Sequence, residues 1–235
     1  MISRLYYALR IVLPGLVWTG GLSILLSALI LYGQFRLRDR FTVAMASSIA
    51  EQFFPVLSAF MAAGVLEHET RRGVHEILCT KRRSLVATAA ERLVVALALS
   101  LILGAGLLAV MHFGIRPIPV GTLLLAAIPP SFCTAALSLW TRVRFGNAFM
   151  GYTVALTIWM ANLLTSVMGS TLGISVNPLL TFSSYTDWLQ AVAIGEEGVT
   201  PYVDWWWAPK VALMAAGSGL FVLAARRVEH RAEGE

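Results

Sequence analysis

The residues best suited to metal or nucleophilic chemistry are four histidines and two cysteines, and their spacing supports neither kind. His68, His75, His112 and His230 are scattered, without the i, i+4 spacing that brings two imidazoles onto one helix face in H-E-x-x-H. They read as solvated loop histidines. Cys79 falls in a polar segment and Cys133 inside an apolar run, so no disulfide framework is indicated. Ser218 between two glycines, and His112 near a helix end, are too isolated to serve an intramembrane hydrolase. A phosphate-binding loop needs glycine amides and a lysine in the order G-x-x-x-x-G-K-[ST], and no Gly-Lys pair occurs in the chain. The chain is therefore expected to be no enzyme, with no catalytic residue, no metal and no cofactor of its own.

Polar residues on apolar runs are a different kind of candidate. In a bilayer they are costly, so they tend to face a cavity or the bundle interior. Thr153, Thr157 and Thr165, with Asn162 and Ser166 beside them, recur at helical spacing and are candidates for a translocation pathway; Ser23 and Ser27 are similarly related. The same pattern also fits helix packing through hydroxyls, which is common in membranes. Glu91 with Arg92, and Glu51 with Gln52, lie near the ends of their runs, where snorkelling or pairing gives them a structural role. Gly104 with Gly106, and Gly217 with Gly219, would permit close helix contacts, and Pro129-Pro130 would kink its helix.

The elements that must position these residues follow from composition. The 235 residues are 57% hydrophobic and 13% charged, with mean hydropathy +0.73, whereas soluble domains carry roughly 25% charged residues. The apolar residues fall in runs of about 20, enough to cross roughly 30 Å of hydrocarbon as a helix. The runs are Ile11 to Gly33, Ala44 to Leu66, Leu85 to Phe113, Ile118 to Trp140, Phe149 to Met168 and Trp206 to Ala225. The first is too long for a signal-peptide core and no cleavage pattern follows it. The runs lack the alternation of barrel strands, so the expected fold is an all-α integral membrane protein with six transmembrane helices in a single domain spanning 1–235.

Lys and Arg set the orientation, because short cytoplasmic loops attract them. With the N-terminus inside, that side gathers most of the 18 basic residues, and the other holds only Arg36, Arg38, Arg40, Arg116 and Lys210. Both termini are expected in the cytoplasm. The net charge of +5 is explained by these helix-end residues and gives no reason to expect nucleic acid.

Two loops break the pattern of short connections. Between the second and third runs, EHETRRGVHEILCTKRRS places Val74, Ile77 and Leu78 on one helical face amid charge, which predicts a short amphipathic helix at the membrane surface. It is either a simple interfacial helix or a docking surface for a cytoplasmic partner. Between the fifth and sixth runs, the segment from Gly169 to Trp205 is too long for a structureless connection. It contains Asn177-Pro178-Leu179-Leu180, then Tyr185, Trp188 and Leu189, and ends in tryptophans suited to the interfacial belt.

In these two segments the chain resembles the permeases of the ABC-2 transporter family. The first resemblance rests on Glu67, Glu69, Arg71, Arg72, Gly73, Glu76, Ile77, Leu78, Arg82 and Arg83, followed by Glu91 and Arg92. Where many members carry a Pro-Val-Ser-Arg type of turn, this chain has Cys79-Thr80-Lys81-Arg82-Arg83. The second rests on the Asn-Pro-Leu segment before the last helix. An N-terminal interfacial helix, suggested by Leu5, Tyr6, Leu9 and Val12, agrees with it.

The resemblance implies a half-transporter of a bacterial exporter in the cytoplasmic membrane. A separate ATPase, carrying ATP and Mg, would dock on the coupling helix at Glu69, Arg72, Gly73, Val74, Glu76, Ile77 and Leu78. A second permease copy would complete the translocation pathway, and Asn177, Pro178 and Leu179 would belong to short re-entrant helices at an outer gate. The alternative is a secondary transporter or channel, which should show buried charges in mid-membrane or paired broken helices.

Overall fold

The computed structural model describes residues 42–64, 85–172, 181–195 and 206–233. The first apolar run and the segment 65–84 therefore lie outside the described residues. The rest folds into α1 (Val43–Gly64), α2 (Leu85–Gly114), α3 (Val120–Phe145), α4 (Ala148–Leu172), α5 (Thr181–Ile194) and α6 (Trp207–Glu233). Among the described residues there is no strand. Among the described residues, four segments are long and apolar enough to cross a membrane: Val43–Gly64, Ala87–Gly114, Val120–Phe145 and Trp207–Val228.

Local chemistry explains the helix ends. Thr42 begins α1, its Oγ1 accepting the Met45 N–H at 3.2 Å. Between α3 and α4 the sequence Gly146-Asn147 makes a tight turn. Gly146 takes the left-handed conformation, with φ 71°, and donates its N–H to Arg142 O at 2.7 Å. Asn147 Oδ1 then accepts the Phe149 N–H at 2.9 Å and starts the next helix. At the far end of α2, His112 Nδ1 accepts the Ile118 N–H at 3.0 Å. His112 is thus no solvated loop histidine; it is half-buried and secures the connection between α2 and α3.

Side-chain contacts fix the helix directions. Thr134 meets Pro55 and Arg142 meets Ala63, so contacts advance together along α1 and α3, which run parallel. Phe54 abuts Gly104 while Ser58 meets Ser100, so α2 runs opposite to α1. Phe53 pairs with Trp159 and Phe60 with Tyr152, which makes α4 antiparallel as well. Lys210 reaches Glu51, and Ala224 packs in a cluster with Met61 and Ala62, so α6 is parallel to α1. Successive long helices among the described residues, α1, α2, α3, α4 and α6, thus alternate in direction.

The bundle is held by two clusters. One joins Met61, Leu93, Leu139, Val143 and Ala224 at one end; the other joins Phe54, Leu108, Met111, Leu123 and Phe182 at the opposite end. Alanines line the contacts, with Ala46, Ala50, Ala59, Ala62, Ala127 and Ala135 fully buried, so the backbones approach closely. The outward faces are apolar too. Val94, Ile102, Val110 and Phe113 on α2, and Val211, Val222 and Leu223 on α6, are exposed as suits a lipid-facing surface. α5 is different: it lies at the end of the bundle near Phe54 and Trp206, packed mainly on α1.

Candidate functional site

The polar residues of the apolar helices converge on the buried contact of α1 with α3 and their neighbours. Ser47, Glu51 and Ser58 of α1, Ser131, Thr134, Ser138, Thr141 and Arg142 of α3, Ser100 of α2, Asn162 of α4 and Lys210 of α6 are all buried. In this setting each polar group needs a partner, because an unpaired one costs several kcal/mol in lipid.

Most partners lie across helix contacts. The Ser58 and Ser100 hydroxyls are 2.7 Å apart, and each also lies within bonding distance of a carbonyl of its own helix, Phe54 O at 2.7 Å and Leu97 O at 2.8 Å. Ser138 Oγ donates to Gly151 O at 3.1 Å, tying α3 to α4. The Arg142 guanidinium donates to Ala63 O, in the last turn of α1, where it complements the negative end of the helix dipole. Thr134 Oγ1 lies 3.0 Å from Pro55 O and 2.8 Å from Pro130 O. Both helices are locally weakened there, since Pro55 cannot donate to Glu51 O and Pro130 cannot donate to Ala126 O.

The strongest electrostatic feature is an ion pair. Glu51 is fully buried and Lys210 is 5% exposed, and Lys210 Nζ donates to Glu51 Oε1. The same oxygen accepts the backbone N–H of Phe182 at 3.1 Å. Phe182 lies in the first turn of α5, where N–H groups have no helical partner and the dipole favours negative charge. One carboxylate therefore joins three helices. Aromatic rings surround the junction: Phe182 and Trp206 have centroids 5.1 Å apart, and Tyr185 stacks on Trp206 at 5.7 Å. Farther along α5, desolvation raises the Asp187 carboxyl above the ordinary carboxylate range although the side chain keeps contact with solvent.

Beside this junction, Gln52, Pro55, Val56, Thr134, Ala155, Ile158, Trp159 and Asn162 line a narrow cleft between α1, α3 and α4 with a volume of about 10 Å³, room for one water-sized group. The indole N–H of Trp159 is buried with no hydrogen-bond partner, as are the hydroxyls of Ser47 and Ser131. The cleft has an apolar wall, one unused donor and two amide side chains at its edges, a setting for a single water rather than for a larger ligand. Among the described residues no cluster of His, Cys, Asp or Glu is arranged to hold a metal ion.

The pathway candidates separate. Asn162 is buried and lines the cleft. Thr153 and Thr157 are exposed on the other side of α4, with their hydroxyls donating to Phe149 O and Thr153 O of their own helix, each at 2.9 Å. Thr165 belongs to α4, and its side chain lies outside the described residues. Also outside them are the docking candidates Glu69, Arg72, Gly73, Val74, Glu76, Ile77 and Leu78, and the gate candidates Asn177, Pro178 and Leu179.

Sequence reasoning missed the cluster on α3 and the role of Lys210, which was counted as an outer-side charge. The available signal was the recurrence of Ser131, Thr134, Ser138 and Thr141 at steps of three and four within an apolar run. Comparison with family models, curated proteins and solved structures finds no match to this chain.

Proposed function

We propose that this chain is the permease subunit of an ATP-driven exporter, forming a translocation route with a second permease copy and energised by a separate ABC ATPase. It would reside in a prokaryotic cytoplasmic membrane with both termini in the cytoplasm. The observation that carries the proposal is the layout at the end of the chain. A short helix, α5, rests on the end of a bundle of membrane-crossing helices immediately before the last of them. This is the arrangement that the ABC-2 resemblance of the preceding segment implies, in which short outer helices cap the route. Further support comes from the alternating helix directions and from the buried polar contact in the bundle, which gives a route something other than hydrocarbon to follow.

In this reading ATP hydrolysis occurs on the partner and reaches the bundle through the segment 65–84. That segment follows directly on Gly64 and leads into α2. Arg142 grips α1 one residue before Gly64. Force applied at Val74 to Leu78 would therefore enter α1 and, through Arg142, α3 as well.

A second reading has one observation in its favour. The buried Glu51–Lys210 pair is the kind of intramembrane charge that marks ion-coupled secondary transporters. Purification in mild detergent, after expression with the neighbouring genes, separates the two. An ATPase present in equal amount, and lost on combining Glu76→Lys with Ile77→Asp, supports the exporter. Intact chain with no associated ATPase would sink it and leave gradient-driven transport as the reading to test.

A further inference from the structure

We infer that Glu51 is a latch: with Lys210 it seats α5 on the end of the bundle, and release of α5 from this carboxylate is the step that opens that end. The inference rests on the transport reading for its purpose, but the seating itself is a property of this chain alone.

Three observations support it. First, among the described side chains of α5, the buried ones lie in its first two turns. Phe182 and Thr186 are buried there, and Tyr185 stacks on Trp206, whereas Leu189 and Val192 in the second half are exposed. A helix held at one end can swing about that end. Second, one charged oxygen takes part in the seat on both sides. Glu51 Oε1 accepts both the Phe182 N–H and the Lys210 ammonium, so α5 and α6 compete for and share one acceptor. Third, the latch stands beside a weak point of α1. Pro55, one turn on, has no N–H to donate into α1, so the helix is held less tightly just beyond the carboxylate. The other end of α1 is held by Arg142, next to the segment through which force is proposed to enter. A displacement there would reach Glu51 along a single helix that contains Pro55.

Charge geometry distinguishes a latch from a merely stabilising pair. A carboxylate complements the α5 N-terminus, and an ammonium opposes it. Exchanging the two residues, Glu51→Lys with Lys210→Glu, therefore retains an ion pair between α1 and α6 but places a positive charge against the Phe182 N–H.

The test uses the full chain with Cys79 and Cys133 replaced by Ala and a reporter Thr186→Cys on the buried face of α5, labelled by a membrane-impermeant maleimide. Labelling should be slow with Glu51 present. Glu51→Gln should accelerate it about tenfold or more, the scale set by losing a charge-assisted hydrogen bond. The charge exchange should recover the thermal stability lost by Lys210→Met while labelling stays fast. Should Glu51→Gln fail to fold, Glu51→Asp, which keeps the charge and shortens the reach, should still accelerate labelling several-fold. Unchanged labelling in folded Glu51→Gln or Glu51→Asp protein, or slow labelling in the exchanged protein, overturns the latch. None of these readouts needs an ATPase, so loss of the exporter reading and loss of the latch are separate outcomes.

Discussion

Replacing Gly104 with alanine should destabilise the bundle, although alanine is the better helix former. Phe54 is 1% exposed, and its ring points end-on at Gly104, so that a Cβ there would come within 2.6 Å of the ring atoms Cε1 and Cε2. Carbon atoms sit comfortably at about 3.5–4.0 Å, so ring and helix must separate by roughly 1 Å, and the buried ring has little room to retreat. Overpacking of this kind costs ~1–3 kcal/mol, against a helix-propensity gain of ~0.5–1 kcal/mol for Gly→Ala. The control is two residues away. Gly106 would meet nothing within 4 Å, so Gly106→Ala should show only the gain. Equilibrium unfolding in mixed micelles, followed by circular dichroism, measures both. A Phe54→Leu background should remove most of the Gly104→Ala penalty, a coupling of ~1 kcal/mol or more in a double-mutant cycle. Equal tolerance of the two alanines, or a penalty that persists without the Phe54 ring, would refute the packing argument.

On α6, Gly217→Ala should be destabilising by a similar ~1–3 kcal/mol, because a Cβ would lie 2.7 Å from Phe132 Cδ1 and 3.0 Å from Cys133 Cα. Gly219→Ala, facing open space, should be neutral or better in the same unfolding assay. Ser58→Ala combined with Ser100→Ala should show a coupling near the ~0.6 kcal/mol average for hydrogen bonds between membrane helices, read from a double-mutant cycle. Arg142→Met should cost ~1.5–3 kcal/mol by removing a charged donor from Ala63 O; Arg142→Lys should not restore this fully, since an ammonium lacks the planar fork. Cysteines at Arg116 and Arg144, both exposed at opposite ends of the bundle, should label from opposite sides of the membrane; labelling from one side would break the alternating topology.

The helical segments were legible because membrane crossing leaves a length signature. The apolar run from Leu85 to Phe113 becomes α2 (Leu85–Gly114), and the run beginning at Ile118 becomes α3 after Pro119. α3 continues past Trp140 to Phe145, because the polar Thr141, Arg142 and Arg144 extend the helix beyond its apolar core. The need for structure in the long segment before the last run was legible from its length, and part of it is α5. The seating of α5 was not, since the partner of its first turn is Glu51, far earlier in the chain.

What the sequence determined by itself was the class of element and the chemistry of its ends: apolar runs long enough to span a bilayer, and short turns such as Gly146-Asn147 whose residue types suit the backbone. Rotation of each helix about its axis was decided only by tertiary structure. In a membrane helix the lipid-facing and buried sides are both apolar, so periodicity says little about which side turns inward. That is why Thr153 and Asn162 face apart, and why Gly104 is a contact while Gly106 is not. The pairing of Glu51 with Lys210 is of the same kind, because a charge can survive at that depth only where the packing of distant helices brings its partner.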